Sequence, residues 1–191
     1  MQYVLASASP RRKQLLAELV QEFEIIPSQA DESAGDLSPR ALVCELAKRK
    51  AKEVALRTEN EGKIVIGSDT VVAFSGKVLG KPTDEQDAVR MLKMLSGNAH
   101  AVYTGVCLAY CLDGELRVMT AADKTLVHFE TLDEEWIWEY VRGGSPMDKA
   151  GAYGIQDGGL VKKIEGSYTN VVGFPVELVK EMLKNAEKEW I

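Results

Sequence analysis

The sequence predicts an α/β fold in which helices pack around a mixed, twisted sheet, and three observations carry that expectation. Apolar strand-like segments alternate with helical ones through the first half of the chain. A long antiparallel pair around Asp113-Gly114 dominates the second half. The 191 residues, 46% hydrophobic and 27% charged, suit one globular domain, or one domain with two lobes, rather than a disordered or fibrous chain.

Gln2 to Ala6 predicts the first strand, and Ser7-Ala-Ser-Pro-Arg-Arg12 turns into a helix with Leu15, Leu16 and Leu19 on its apolar side. Phe23 to Pro27 reads as a second strand. A polar loop from Asp31 to Leu37 leads to Ser38 and Pro39, which suit the N-cap and first position of a helix running to about Arg57. Ile64-Val-Ile66 and Val71-Val-Ala-Phe74 read as two strands interrupted by Gly67-Ser-Asp-Thr70, with Ser75-Gly76 turning into Val78-Leu79. Thr83-x-x-Gln86 has the form of a capping box before a helix with apolar Ala88, Met91, Leu92 and Leu95. The hairpin strands run from Ala101 to Leu112 and from Leu116 to Glu130. Leu132 and Ile137 then bracket Asp133 as a hydrophobic staple around an N-cap, and the helix ends near Gly143-Gly144. A glycine-rich loop from Met147 to Gly159, a strand from Leu160 to Ile164, a second glycine-punctuated loop and an amphipathic helix from Pro175 complete the order. No repeat, low-complexity tract or linker interrupts it.

Lys plus Arg number 23 against 29 Asp plus Glu, a net charge of −6, which argues against general affinity for long nucleic acid. A small anion held by a few local cations remains open. With only His100 and His128, and Cys44, Cys107 and Cys111 without a Cys-x-x-Cys pair, a structural zinc site and a disulfide framework are disfavoured. Cys107 and Cys111 share one face of an apolar strand and read as buried thiols. Neither a leader segment nor an apolar run of membrane-spanning length is evident, so a reducing cytoplasm is the expected location.

Four features carry potential chemistry. In Ser9-Pro10-Arg11-Arg12 a favoured N-cap and first-turn proline open a helix whose positive end then receives two arginines where acids are usual. That arrangement is either a solvated basic turn or an anion site. Lys50 falls within the roughly 120° apolar arc of Leu42, Val43, Leu46 and Val54 on a helical wheel, while Lys48, Arg49 and Lys52 fall opposite and need only solvation. Lys50 either snorkels outward or points an ammonium into a cleft. Asp69, at the break between two apolar strands, is either a turn aspartate or a carboxylate that activates water or holds Mg²⁺, with Asp31 and Glu32 as further acids. Gly76-Lys-Val-Leu-Gly80-Lys81 approaches a phosphate loop but is one residue short, and Pro82 stands where Ser or Thr should be. Lys81 is therefore a candidate phosphate contact outside a P-loop, and no G-x-G-x-x-G is present.

Taken in order, Ser7 to Arg12, Glu32, Lys50, Gly67 to Thr70, Gly80 to Pro82, Ser96-Gly-x-x-His100, Ala150-Gly-Ala-Tyr-Gly-Ile-Gln156 and Gly166-Ser-Tyr-x-x-Val-Val-Gly-x-Pro175 closely resemble the Maf family of nucleoside triphosphate pyrophosphatases. The resemblance covers essentially residues 1–191 as a single domain. It implies the two-lobed α/β fold of the inosine triphosphate pyrophosphatases around a central cleft, and hydrolysis between the α and β phosphates with a divalent cation, Mg²⁺ or Mn²⁺. Asp69 matches the family's proton acceptor. Ser7, Arg11 or Arg12, Glu32, Lys50 and Lys81 match positions lining its phosphate and metal site, with Glu32 and Asp69 toward the metal. Arg12, Thr70 and Gln156 match positions linked to substrate choice and resemble the branch acting on dTTP and UTP. A glutamine amide can donate and accept one hydrogen bond each, as the O4 and N3–H edge of uracil or thymine requires. Asp157 departs from the pattern, since many members have glycine there. His100 reads as structural. A cytoplasmic homodimer that clears nucleotides from the pool is the implied setting, and a nucleotide-binding regulator of cell division is the rival.

Overall fold

The computed structural model describes residues 1–33 and 35–190. The elements follow in the order β1 (Tyr3–Leu5), α1 (Pro10–Ala17), β2 (Glu24–Ile25), α2 (Pro39–Ala55), β3 (Ile64–Phe74), β4 (Lys77–Leu79), α3 (Glu85–Leu95), β5 (Ala99–Leu112), β6 (Glu115–Phe129), α4 (Glu134–Arg142), β7 (Val161–Glu165), α5 (Tyr168–Val172) and α6 (Val176–Trp190). Among the described residues the strands form one sheet of order β2-β1-β3-β5-β6-β7, with β4 paired to β3. The sheet is mixed: β1 runs parallel to β2 and β3, whereas β3–β4 and β6–β7 are antiparallel. Asp113 and Gly114 both take positive φ, the left-handed pair that a two-residue hairpin between β5 and β6 demands. The α/β class and the mixed sheet are as the sequence predicts.

The chain divides into two compact units, and β3, β5 and β6 contribute residues to both. The first comprises Met1–Asp69, Thr104–Asp123 and the segment from Gly173 onward. Its central strands β1, β3 and β5 are buried on both faces there, so they read as continuous apolar runs. Leu5, Ile64 and Ile66 join Leu16, Phe174, Val179 and Leu183 in one core. Val4 and Val65, one residue out of phase, join Ala47, Ala51, Val54 and Cys107 in the other. Burial there pushes the Cys107 thiol up to about 11, so it behaves as a packed apolar group, while Cys111 is only half-buried. Two glycines let α2 lie close on the sheet. A Cβ on Gly67 would sit 2.4 Å from the Ala47 carbonyl oxygen, and one on Gly105 would sit 2.2 Å from that of Val43.

The second unit, Thr70–Tyr103 and Lys124–Val172, packs Val72, Leu79, Leu92, Leu95, Val102, Phe129, Ile137 and Tyr153 into its own core. His100 is buried there with Nε2 at 2.7 Å from the Tyr153 hydroxyl, edge-on to Phe129, which agrees with a structural histidine. The glycine-rich loop is a series of three short 3₁₀ turns, at Ser145–Asp148, Ala150–Ala152 and Ile155–Asp157.

Three expectations need correction. β3 is one unbroken strand, so Asp69 lies inside a strand and not at a break. Gly67 stays within the paired strand and lets the backbone of α2 come close. The N-cap of α3 is Asp84, whose carboxylate accepts from Asp87 N–H, while Asp87 accepts from the N–H of Thr83 before the cap, so the cap lies one residue later than Thr83-x-x-Gln86 predicts. The second glycine-punctuated loop contains the five-residue helix α5.

Candidate active site

Strand and helix periodicities explain why Lys50 and Asp69 meet. On β3, Val65, Gly67 and Asp69 are two residues apart and therefore face the same side, the side covered by α2. On α2, Ala47, Lys50, Ala51 and Val54 fall on the face toward the sheet. The next positions along these two lines are Asp69 and Lys50, and their side chains pair at 2.7 Å with 12% and 13% exposure. The Lys50 ammonium also lies 2.8 Å from Glu32 Oε1, a carboxylate 65% exposed in the loop after β2. Lys50 thus points inward and gathers two acids from separate segments.

Arg12 is built into the same unit. Ser9 caps α1 by accepting from Arg12 N–H, Pro10 fills the first position, and the first turn contains no acidic residue, as expected. The Arg12 guanidinium donates through Nη1 to the Ser68 carbonyl at 2.7 Å and to Ser7 Oγ at 3.3 Å, and through Nε to the Gly173 carbonyl at 3.0 Å. Burial lowers its pKa from the ordinary arginine value, with the nearby Asp69 carboxylate acting in the opposite direction and Arg11 reinforcing the fall. Gly173 has φ 109°, a conformation that favours glycine, and its carbonyl also accepts from Ser68 Oγ at 3.2 Å. Arg12 therefore ties α1 to β3 and to the start of the C-terminal segment, directly beside Asp69 in sequence.

Arg49 is a site-supporting residue that the helical wheel assigned to solvent. It is paired with Glu45 at 2.8 Å and donates to the carbonyls of Asp31 and Ser33, at 3.3 and 2.7 Å. These two residues flank Glu32, so Arg49 fixes the loop that presents that carboxylate. A wheel registers only burial against the sheet, and an arginine grasping loop carbonyls leaves no such periodic trace. Gly173 was inside a recognised motif, but a backbone carbonyl gives no side-chain signal.

The remaining candidates belong to the second unit. Thr70 follows Asp69 along β3 and is half-buried. Lys81 is exposed after β4, and its turn is tied to the Ala150–Ala152 turn by the Gly151 N–H bond to the Gly80 carbonyl, 3.0 Å. Gln156 is exposed in the middle of the turn Ile155–Asp157.

The donor set near Lys50 suits a hard divalent cation. Glu32 and Asp69 both lie within ion-pair distance of a single ammonium. Among the described residues no group of three or more His, Cys, Asp or Glu side chains is clustered for a metal. Two carboxylates with the other positions left to water and phosphate oxygens is the usual manner of Mg²⁺ beside nucleotides.

A pair of carboxylates gathered on one ammonium, on a mixed α/β sheet, defines an oxygen-rich acid and cation site of the kind that handles phosphate with a metal. The chain belongs to the Maf family: the family model, described as Maf-like protein, matches residues 2–186. It is 53% identical over 178 residues to a dTTP/UTP pyrophosphatase of Thermococcus kodakarensis, covering 92% of each chain. With a dTTP/UTP pyrophosphatase of Clostridium perfringens it shares 47% identity over 189 residues, 97% of each chain. Among solved structures, the Ham1 protein of Staphylococcus aureus has the same fold at a TM-score of 0.52 and 14% identity, covering 97% of this chain and 99% of that one.

Proposed function

We propose that this chain is a nucleoside triphosphate pyrophosphatase that hydrolyses dTTP and UTP to the monophosphate and pyrophosphate. The observation that carries the reading is the Asp69–Lys50–Glu32 cluster, in a chain about half identical to relatives named for that activity. Water attacks the α phosphorus, the bond from that phosphorus to the bridging oxygen breaks, and pyrophosphate leaves with the electron pair. Asp69 accepts the proton of the attacking water. A divalent cation, Mg²⁺ or Mn²⁺, would be held by Glu32 and Asp69, and when bound it neutralises charge on the phosphate oxygens. Lys50, Arg12 with Arg11, and Ser7 are assigned to phosphate, as is Lys81, which supports the leaving pyrophosphate. Arg12, Thr70 and Gln156 are assigned to substrate choice, with the Gln156 amide reading the O4 and N3–H edge.

Among the described residues no helix is long and apolar enough to cross a membrane. The cytoplasm and a homodimer belong to this reading by family resemblance, and light scattering of the purified protein tests the second. The activity is tested by pyrophosphate release from a panel of purine and pyrimidine triphosphates with Mg²⁺, with Mn²⁺ and with chelator. Release from dTTP and UTP above the purine triphosphates, lost on chelation, is the expected result. Nucleotide binding without product under either metal would reject it in favour of a regulator.

A further inference from the structure

The turn that carries Gln156 is closed by an unusual concentration of polar bonds on one hydroxyl. Tyr140, on α4, donates its hydroxyl proton to Asp157 Oδ2 at 2.5 Å, and the Gly154 N–H donates to the same hydroxyl oxygen at 3.1 Å. One phenol therefore holds both ends of the turn Ile155–Asp157, whose own closure is the Asp157 N–H bond to the Gly154 carbonyl at 3.1 Å. Ser145 Oγ donates to Asp157 Oδ2 at 2.8 Å, adding a second anchor from the start of the loop. Lys149 Nζ lies 3.1 Å from that serine oxygen. Burial would raise the Asp157 pKa, but the bonds from Tyr140 and Ser145 outweigh it and hold the carboxyl below its ordinary value.

Packing fixes the anchor in turn. The Tyr140 ring stacks on Trp136 one helical turn earlier, with centroids 5.2 Å apart and planes 11° apart. A Cβ on Gly154 would lie 2.8 Å from Asp157 Oδ2, so glycine is the residue that lets the carboxylate close over the turn.

We propose that Asp157, Tyr140 and Ser145 are positioning residues for base recognition: they lock the turn so that Gln156 is presented in one orientation before the nucleotide arrives. This rests on the assignment of Gln156 to the base given above. A side chain exposed on a free loop would have to be ordered at the moment of binding, and the clamp removes that entropic cost in advance.

The test uses Asp157→Ala, Tyr140→Phe, the double variant and Asp157→Asn, each read in two ways. The first is the ratio of kcat/KM for dTTP to that for GTP, which a general loss of folded enzyme leaves untouched. The ratio should fall about tenfold in each single variant, no further in the double variant, and recover to within about threefold in Asp157→Asn, which keeps an acceptor oxygen. The second is amide hydrogen exchange over residues 154–158 in the nucleotide-free protein, expected to quicken at least about tenfold in Asp157→Ala and Tyr140→Phe. An unchanged ratio, an additive double variant, or unchanged exchange overturns the proposal. If the wild-type chain shows no preference for dTTP over GTP, the assignment of Gln156 fails by itself, and the exchange measurement alone then decides whether the clamp exists.

Discussion

Lys50 holds Asp69 at 2.7 Å and Glu32 at 2.8 Å, and this single ammonium keeps a largely buried carboxylate neutralised in the absence of substrate. Replacing it with Met leaves Asp69 without that partner. The metal-free Lys50→Met protein should be less stable by about 2 kcal/mol, below the ~3–5 kcal/mol of a fully buried broken pair because both groups retain some solvent. Mn²⁺ should restore part of the loss by binding between the two acids, and denaturant melts with and without the metal measure this. No metal effect would speak against Glu32 and Asp69 as the cation ligands. His100 supplies a second residue-scale test. Burial lowers its imidazole to about 4, against about 6.5 when the chain is unfolded. Between those values the unfolded chain binds a proton that the folded chain refuses, so the stability contribution is complete above about pH 6.5 and falls as pH drops toward 4. From pH 7 to pH 5 the loss is about 2 kcal/mol. Urea titrations at the two pH values should show that difference in the wild type and a smaller one in His100→Asn. Lys50 and Asp69 were legible in the sequence because a cation on an apolar arc and an acid in an apolar run violate local patterns. Arg49, the Gly173 carbonyl and the Tyr140–Asp157 bond violate none, since they depend on which distant backbone or side chain the fold delivers.

At the scale of elements, the site depends on how closely α2 lies on β3. The backbone gap at Gly67 has no room for a methyl group, since a Cβ would meet the Ala47 carbonyl at 2.4 Å and the Ala51 nitrogen at 2.7 Å. Backbone cannot yield as a flexible side chain does, so Gly67→Ala should destabilise by about 3 kcal/mol. It should also part Lys50 from Asp69 and lower activity in the protein that remains folded, which equilibrium unfolding and assays below the unfolding transition would separate. Most elements were readable because their signals are local: Ser9-Pro10, Ser38-Pro39 and Asp133 all cap helices as their sequences predict. β3 was divided wrongly because glycine and three polar residues look like a turn when only neighbours are considered. Two of the polar residues are tolerated inside the strand because they find partners: Ser68 bonds the Gly173 carbonyl, and Asp69 bonds Lys50. Helix α5 escaped notice because five residues between glycines carry no helical period.

For the whole molecule, a net charge of −6 does not tell where the individual cations and acids lie. In the first unit Arg12 bonds the Ser68 carbonyl, Lys50 pairs with Asp69, and Arg49 bonds the Ser33 carbonyl next to Glu32, a gathering of basic residues that the total conceals. The overall class was accessible from alternation and the hairpin, whereas two lobes were implied by the family resemblance alone, because β3, β5 and β6 contribute residues to both units without a linker. Chelation should abolish turnover of the intact protein and Mg²⁺ or Mn²⁺ should restore it, as stopped assays of product will register. In the proposed reaction Asp69 directs water onto the α phosphorus of a pyrimidine triphosphate. Turnover of dTTP in ¹⁸O-labelled water by wild-type and Asp69→Asn protein tests it in one measurement. Label is expected in dTMP with none in pyrophosphate, together with a fall of about 10²–10⁴-fold in rate for the variant with its fold and nucleotide binding retained. Label in pyrophosphate, or a variant as fast as the wild type, would contradict it.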